Sequence, residues 1–215
     1  EKYAFDTDDP WGTETIIEDA GGGADTLDFS GTTTLAIIVN ISITGFQTVN
    51  TNLSLFVQDS GGGEAEIENI IGGALGDTIR GNHFENNLFG GAGADLLDGK
   101  SGDDTLDGGT GNDDLNGGAD NDSITVVHNT NFTLSDTSLA RGTGEVDALD
   151  NIEVANLKGG ASANVFNLTG WTGSGRIDGA DLSNDPRLDI LIVSADADFT
   201  LTDTVLNIST NLGPI

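Results

Sequence analysis

Large aliphatic residues recur at every ninth position from Ile79 through Leu88, Leu97, Leu106 and Leu115 to Ile124. Between them lie Gly, Asp, Asn and Ala, which offer no apolar stripe for a helix. No stretch of a dozen residues holds an apolar period near 3.6, while short β-branched runs bounded by Gly, Asn and Asp clusters recur throughout. The pattern predicts an all-β chain. Ahead of the nine-residue block, strands are expected over residues 35–43, 46–49, 53–58 and 67–71. Beyond it, the run from Phe132 to Leu139 returns from Phe199 to Leu206, with six of eight residues identical at an offset of 67.

The polar positions keep the same period. Residues 72–125 divide into six units, GGALGDTIR, GNHFENNLF, GGAGADLLD, GKSGDDTLD, GGTGNDDLN and GGADNDSIT. Each opens with Gly, and the sixth place holds Asp77, Asn86, Asp95, Asp104, Asp113 and Asp122. Leu75, Phe84 and Asp120 depart from Gly in the fourth place. The units resemble the GGxGxDxUx nonapeptide of the RTX (hemolysin-type calcium-binding) family. That resemblance implies a right-handed parallel β-roll, a form of β-solenoid, with several Ca²⁺ ions in its turns and further β-solenoid coils flanking it.

In such a roll about six residues of a unit turn and about three form a strand, so two units complete a coil of about eighteen residues. Strands stack at about 4.8 Å. Asp77, Asp95 and Asp113 then share one column, and Asn86, Asp104 and Asp122 the other. Stacked carboxylates repel, and turn carbonyls lack strand partners; a hard cation taking six to eight oxygens relieves both. The expected ion positions lie between Asp77 and Asp95, Asp95 and Asp113, Asn86 and Asp104, and Asp104 and Asp122, the one at the uncharged Asn86 being weakest. Weaker echoes add Asp25, Asp147 and Asp189 as metal ligands: Asp25 and Asp147 stand in the sixth place of degenerate units, and Asp189 lies 67 residues beyond Asp122. Asn164 replaces Asp in another such unit, and Asp178, Asp181, Asp185 and Asp189 form an acidic run.

Composition narrows the function. Among 215 residues, 36 acids against 7 bases give a formal charge of −29. Nucleic acid needs a surface of the opposite sign, and an anionic membrane would repel this one. Self-repulsion together with 32 glycines disfavours a compact state without divalent ions. There is no Cys to staple the chain and no Met, so it is read as a processed product, an excised fragment or a segment of a longer protein. The apolar runs are strand-sized, and no membrane insertion is expected.

No catalytic constellation stands out: His83 lacks the second His of a zinc-protease helix, and no Gly-x-Ser-x-Gly elbow occurs. Trp11, Trp171 and Tyr3 are the aromatics for glycan contact, with packing as the plainer role. Three segments are expected: N-terminal solenoid coils over 1–71, the nonapeptide roll over 72–125, and a solenoid with a truncated second repeat over 126–215. The chain thus reads as a secreted, non-enzymatic structural or adhesive module that partners itself or neighbouring modules by end-to-end stacking. The alternative is an accessory folding and secretion module severed from a secreted enzyme of protease, lipase or alginate epimerase type.

Overall fold

The computed structural model describes residues 1–18, 23–59, 62, 66–179, 189–193, 198–201 and 206–210. Every regular element among them is a strand, so no helix is long and apolar enough to cross a membrane. The first 71 residues form β1 (Lys2–Ala4), β2 (Gly12–Glu18), β3 (Thr26–Asp28), β4 (Ile38–Asn40), β5 (Gly45–Thr48), β6 (Leu53–Asp59) and β7 (Asn69–Ile71). The nonapeptide block forms β8 (Thr78–Arg80), β9 (Asn87–Ala92), β10 (Leu96–Ser101), β11 (Thr105–Thr110), β12 (Asp114–Ala119) and β13 (Ser123–Val127). There follow β14 (Phe132–Ser135), β15 (Ser138–Arg141), β16 (Val146–Asp150), β17 (Val154–Lys158), β18 (Val165–Gly170) and β19 (Ser174–Asp178). The last three are β20 (Asp189–Val193), β21 (Asp198–Leu201) and β22 (Leu206–Thr210).

These strands build two long sheets. The first has the order β1-β3-β7-β9-β11-β13-β17-β19-β21, and all of its pairings are parallel. The second runs β4-β8-β10-β12-β16-β15-β14-β18-β20-β22 and is parallel except for β15, which is antiparallel to both neighbours. Consecutive strands of the nonapeptide block alternate between the two sheets. Within a sheet, each residue faces its counterpart eighteen places on: Leu97 lies between Ile79 and Leu115, and Leu106 opposite Leu88.

The eighth-place residues therefore form two inward aliphatic ladders. Ile79, Leu88, Leu97, Leu106, Leu115 and Ile124 are all fully buried. The same ladders continue into the flanking coils, through Leu27 and Ile70 on one side and Leu149 on the other. One hydrophobic cluster consequently extends from Phe5 to Leu191. Stacked phenylalanine pairs, Phe5 with Phe29 and Phe132 with Phe166, carry the core where the coils widen.

Several features depart from the sequence pattern. The segment 12–18 forms β2, which pairs with β6 in a third sheet of order β2-β6-β5 outside the main stack. The strand expected over 35–43 shortens to β4, because the Asn40 side chain caps Ser42 and turns the chain. The long repeat is out of phase with the coil: its first copy begins in β14 of the second sheet, whereas Phe199 lies in β21 of the first. Residues 202–205 of the second copy, with Asp181 and Asp185, lie outside the described residues. Trp171 is buried, with its indole nitrogen donating to the Ser174 carbonyl, so it packs rather than facing a ligand.

The ladder sets an energetic expectation. Leu106→Ala opens a cavity between two coils and should cost about 2–5 kcal/mol. The same change at Val127, which is 63% exposed, should stay within about 0.5 kcal/mol. Denaturant unfolding in excess calcium measures both.

Candidate metal centre

All nine residues singled out as ligands are buried, none more than 3% exposed: Asp25, Asp77, Asn86, Asp95, Asp104, Asp113, Asp122, Asp147 and Asp189. They fall into the two expected columns, but their carboxylates do not face one another. Instead one oxygen of each aspartate reaches back to the preceding coil. The Oδ1 atom of Asp95 accepts from the Asp77 amide at 2.7 Å, and that of Asp113 from the Asp95 amide at 3.0 Å. In the other column Asp104 accepts from the Asn86 amide at 2.7 Å and Asp122 from the Asp104 amide at 2.8 Å. Each sixth-place side chain thus ties two coils together, whatever else it does.

The flanking candidates extend the same device. Asp77 caps Ile37 and Asp147 caps Asp113, so the first column runs from Ile37 to Asp147. Glu153 caps Asp122 and Glu68 caps Asp25. Asp25 also contacts the main-chain nitrogen of Glu1. Asp189 caps Asn164 at 2.6 Å. Glu68 and Glu153 were not legible as column members, because a glutamate outside the nonapeptide spacing carries no periodic signal.

The second carboxylate oxygen divides the turns into two kinds. In the turns at 72–77 and 81–86 it is satisfied within its own turn: Asp77 Oδ2 accepts from the Gly73 amide and Asn86 Oδ1 from the Asn82 amide, while Asn86 Nδ2 donates to the Ile67 carbonyl. The turn at 159–164 closes in the same way through Asn164 and Gly160. In the next four turns the backbone is different. The second places, Gly91, Lys100, Gly109 and Gly118, and the fourth places, Gly93, Gly102, Gly111 and Asp120, all have φ between +83° and +130°. That left-handed backbone removes the amide that would meet the side chain. The Oδ2 atoms of Asp95, Asp104, Asp113 and Asp122 are buried with no hydrogen-bond partner, and that of Asp113 lies 3.7 Å from Nη2 of Arg141.

Main-chain carbonyls converge on the same places. A Cβ on Gly90 would stand 2.5 Å from Asp95 Oδ2 and 2.6 Å from the Gly108 carbonyl oxygen. Gly99 is hemmed in the same way by Asp104 Oδ2 and the Gly117 carbonyl, and Gly117 by Asp122 Oδ2 and the Asn151 carbonyl. Glycine opens these units because two oxygens meet where a side chain would begin, and at Gly108 the Asp113 side chain alone fills that place. The fourth-place carbonyls also point at the following coil, where a Cβ on Gly111 would lie 1.6 Å from the Gly93 oxygen.

Acceptors without donors are costly when buried. Burial, helped by neighbouring carboxylates, pushes the carboxyl of Asp104 up to about 7 and those of Asp95 and Asp122 up to about 6. Among the described residues no three His, Cys, Asp or Glu side chains converge on one point. Each position is instead one carboxylate oxygen among carbonyls, a hard-oxygen set that suits Ca²⁺ and not a softer metal. Asp95, Asp104 and Asp122 would hold the ions, which supply the positive charge that these oxygens lack.

A parallel stack with acidic, glycine-lined, acceptor-only turns is a calcium-binding β-roll in type. The family model described as RTX calcium-binding nonapeptide repeat, in 4 copies, matches residues 71–106 and again 89–124. Residues 71–124 are therefore RTX repeats, a structural element that binds calcium and is not itself catalytic. A search of curated proteins finds none that matches the chain.

Two predictions follow from the division of the turns. Asp104→Ala removes an unpartnered oxygen and should lower the number of bound calcium ions by one, whereas Asp77→Ala should weaken the fold without changing the number; equilibrium dialysis in excess calcium reads both. The second concerns pH. A carboxyl whose folded pKa lies near 6 or 7, against about 4 unfolded, binds more protons folded than unfolded between those values. The calcium-free fold is therefore most stable below about pH 4 and loses stability as pH rises toward 7. Circular dichroism in chelator should show β-structure gained on acidification from pH 8 to pH 5, and calcium affinity should fall over the same interval.

Proposed function

We propose that this chain is a non-enzymatic, calcium-stabilised extracellular module that serves as one link of a tandem array or a head-to-tail fibre. The observation that carries this reading is the set of buried, donor-free oxygens inside the stack. A chain with these turns lacks a stable fold until a divalent cation arrives, so the free energy of binding is folding free energy. Extracellular calcium modules work at about 10⁻⁴–10⁻³ M, and RTX repeats are calcium-binding elements of secreted proteins. Among the described residues, the outermost strands of the two sheets, β1 and β4 at one end and β21 and β22 at the other, each have one neighbour. Parallel edges of this kind favour head-to-tail addition of further coils, a contact that does not close on itself. Of the three aromatics considered for glycan contact, Trp11 is exposed, Tyr3 half-buried and Trp171 buried.

Sedimentation velocity of the chain, first in millimolar calcium and then in excess chelator, tests the proposal. We expect a compact species or long polymers in calcium that expand or dissociate reversibly on chelation. Polymers support the fibre. A calcium-dependent monomer at all concentrations favours an accessory module of a secreted enzyme instead, and a compact monomer indifferent to chelator sinks both.

A further inference from the structure

The fourth left-handed turn, at 108–113, has the same oxygens as its neighbours but a different partner. Its second- and fourth-place carbonyls, on Gly109 and Gly111, receive Nη1 and Nη2 of Arg141, the latter at 3.0 Å. The same Nη2 lies 2.6 Å from Asp147 Oδ1 and 3.7 Å from Asp113 Oδ2, and Nε lies 3.6 Å from Glu145 Oε2. The side chain is 2% exposed, in a protein with seven basic residues against 36 acidic ones. In the preceding coil of this column the equivalent carbonyls, on Gly91 and Gly93, point at the backbone of Gly109 and Gly111. No such glycines follow 108–113. The chain enters the β14–β15–β16 meander, and Arg141 returns from the last residue of β15 to lie over the turn.

We propose that the guanidinium of Arg141 is an internal cation that occupies the position a calcium ion would take at the end of the Asp77–Asp95–Asp113–Asp147 column, so that removing it creates a further calcium site. The inference rests on the calcium reading of the turns at Asp95, Asp104 and Asp122. The guanidinium donates to two turn carbonyls and to Asp147, and pairs at longer range with Asp113 and Glu145, the kinds of oxygen those turns leave without donors. The other column has no counterpart: Asp122 Oδ2, like Asp113 Oδ2, has no hydrogen-bond partner, but Glu153 and the Asn151 carbonyl lie near it where Asp113 has a guanidinium at 3.7 Å. A planar five-donor group suits diverging carbonyls and carboxylates as well as an ion does, and it is held by the chain itself. With the side chain cut back, the Asp113 and Asp147 oxygens that face Nη2 and the two carbonyls form an acidic, hard-oxygen set of the kind Ca²⁺ takes.

The test compares the whole chain with its R141A variant, counting bound calcium by equilibrium dialysis and following folding by circular dichroism as calcium is raised. The expected result is one more ion per chain in R141A, with full folding restored in excess calcium and less folding than the parent at the concentration where the parent is half folded. An R141A chain with the parent's ion count, or one that stays unfolded in excess calcium, overturns the proposal, because calcium then does not replace the guanidinium. A parent chain that binds no calcium would instead remove the calcium reading of the turns at Asp95, Asp104 and Asp122, a failure distinct from that of Arg141.

Discussion

The crowding of oxygen acceptors at four turns, of which only the one under Arg141 receives a side-chain cation, is the constraint on which the rest of this structure depends. It explains why glycine opens the units at Gly90, Gly99 and Gly117, since a carboxylate and a carbonyl converge where Cβ would stand. It explains the sixth-place aspartate, whose one oxygen fastens the previous coil while the other waits for a positive charge. It also gives the −29 charge a local meaning. Part of that charge is buried in the stack, where an unpaired carboxylate costs several kcal/mol even after relaxation. The hydrophobic ladder alone has to work against that penalty, and a divalent ion reverses its sign. Because each coil touches only its neighbours, the effect propagates along the stack, one interface at a time.

Much of this was legible in the sequence because it is periodic. The eighth-place aliphatics specify the inward ladders, and the spacing of the aspartates specifies the columns, since a coil of two nine-residue units brings position i over i+18. The orientation of the carboxylates was not legible. It depends on whether the second and fourth places adopt positive φ, and residue type does not settle that: Asp120 takes the left-handed backbone while Leu75 and Phe84 do not. The strand at 12–18 pairs outside the stack and so shows no repeat. The echo between Phe132 and Phe199 is real in sequence yet falls in opposite sheets, because the intervening coils are not multiples of one length. Arg141 lay beyond reach for a simpler reason: a single basic residue in a loop-rich segment has no pattern until the fold brings it over Gly109 and Gly111.

The two columns are managed differently at their ends. One starts at Asp77, whose oxygens are both satisfied by amides, and finishes under a guanidinium. The other starts at Asn86, where an amide replaces the carboxylate and donates to the Ile67 carbonyl, and finishes at Glu153. Neutral amides, self-closed turns and an arginine are three ways of ending a run of cation positions without leaving a bare charge inside. Each uses groups already in the chain, so the first column is closed at both ends and the second at Asn86 only, its far end keeping the unpartnered Asp122 oxygen beside Glu153.

The reversed strand β15 breaks the register of the second sheet. Between β16 and β18 the second sheet contains two additional strands, β15 and β14, while β17 and β19 sit side by side in the first. At about 4.8 Å per strand, one wall is locally longer than the other by about 10 Å, close to the spacing of the sheets themselves. The meander inserts these strands into one sheet only, and its antiparallel pairings interrupt the parallel stack there. An eighteen-residue register can therefore run unbroken along the first sheet of the nonapeptide block but not through the meander of the second, where pairing depends on local hairpins and not on the repeat.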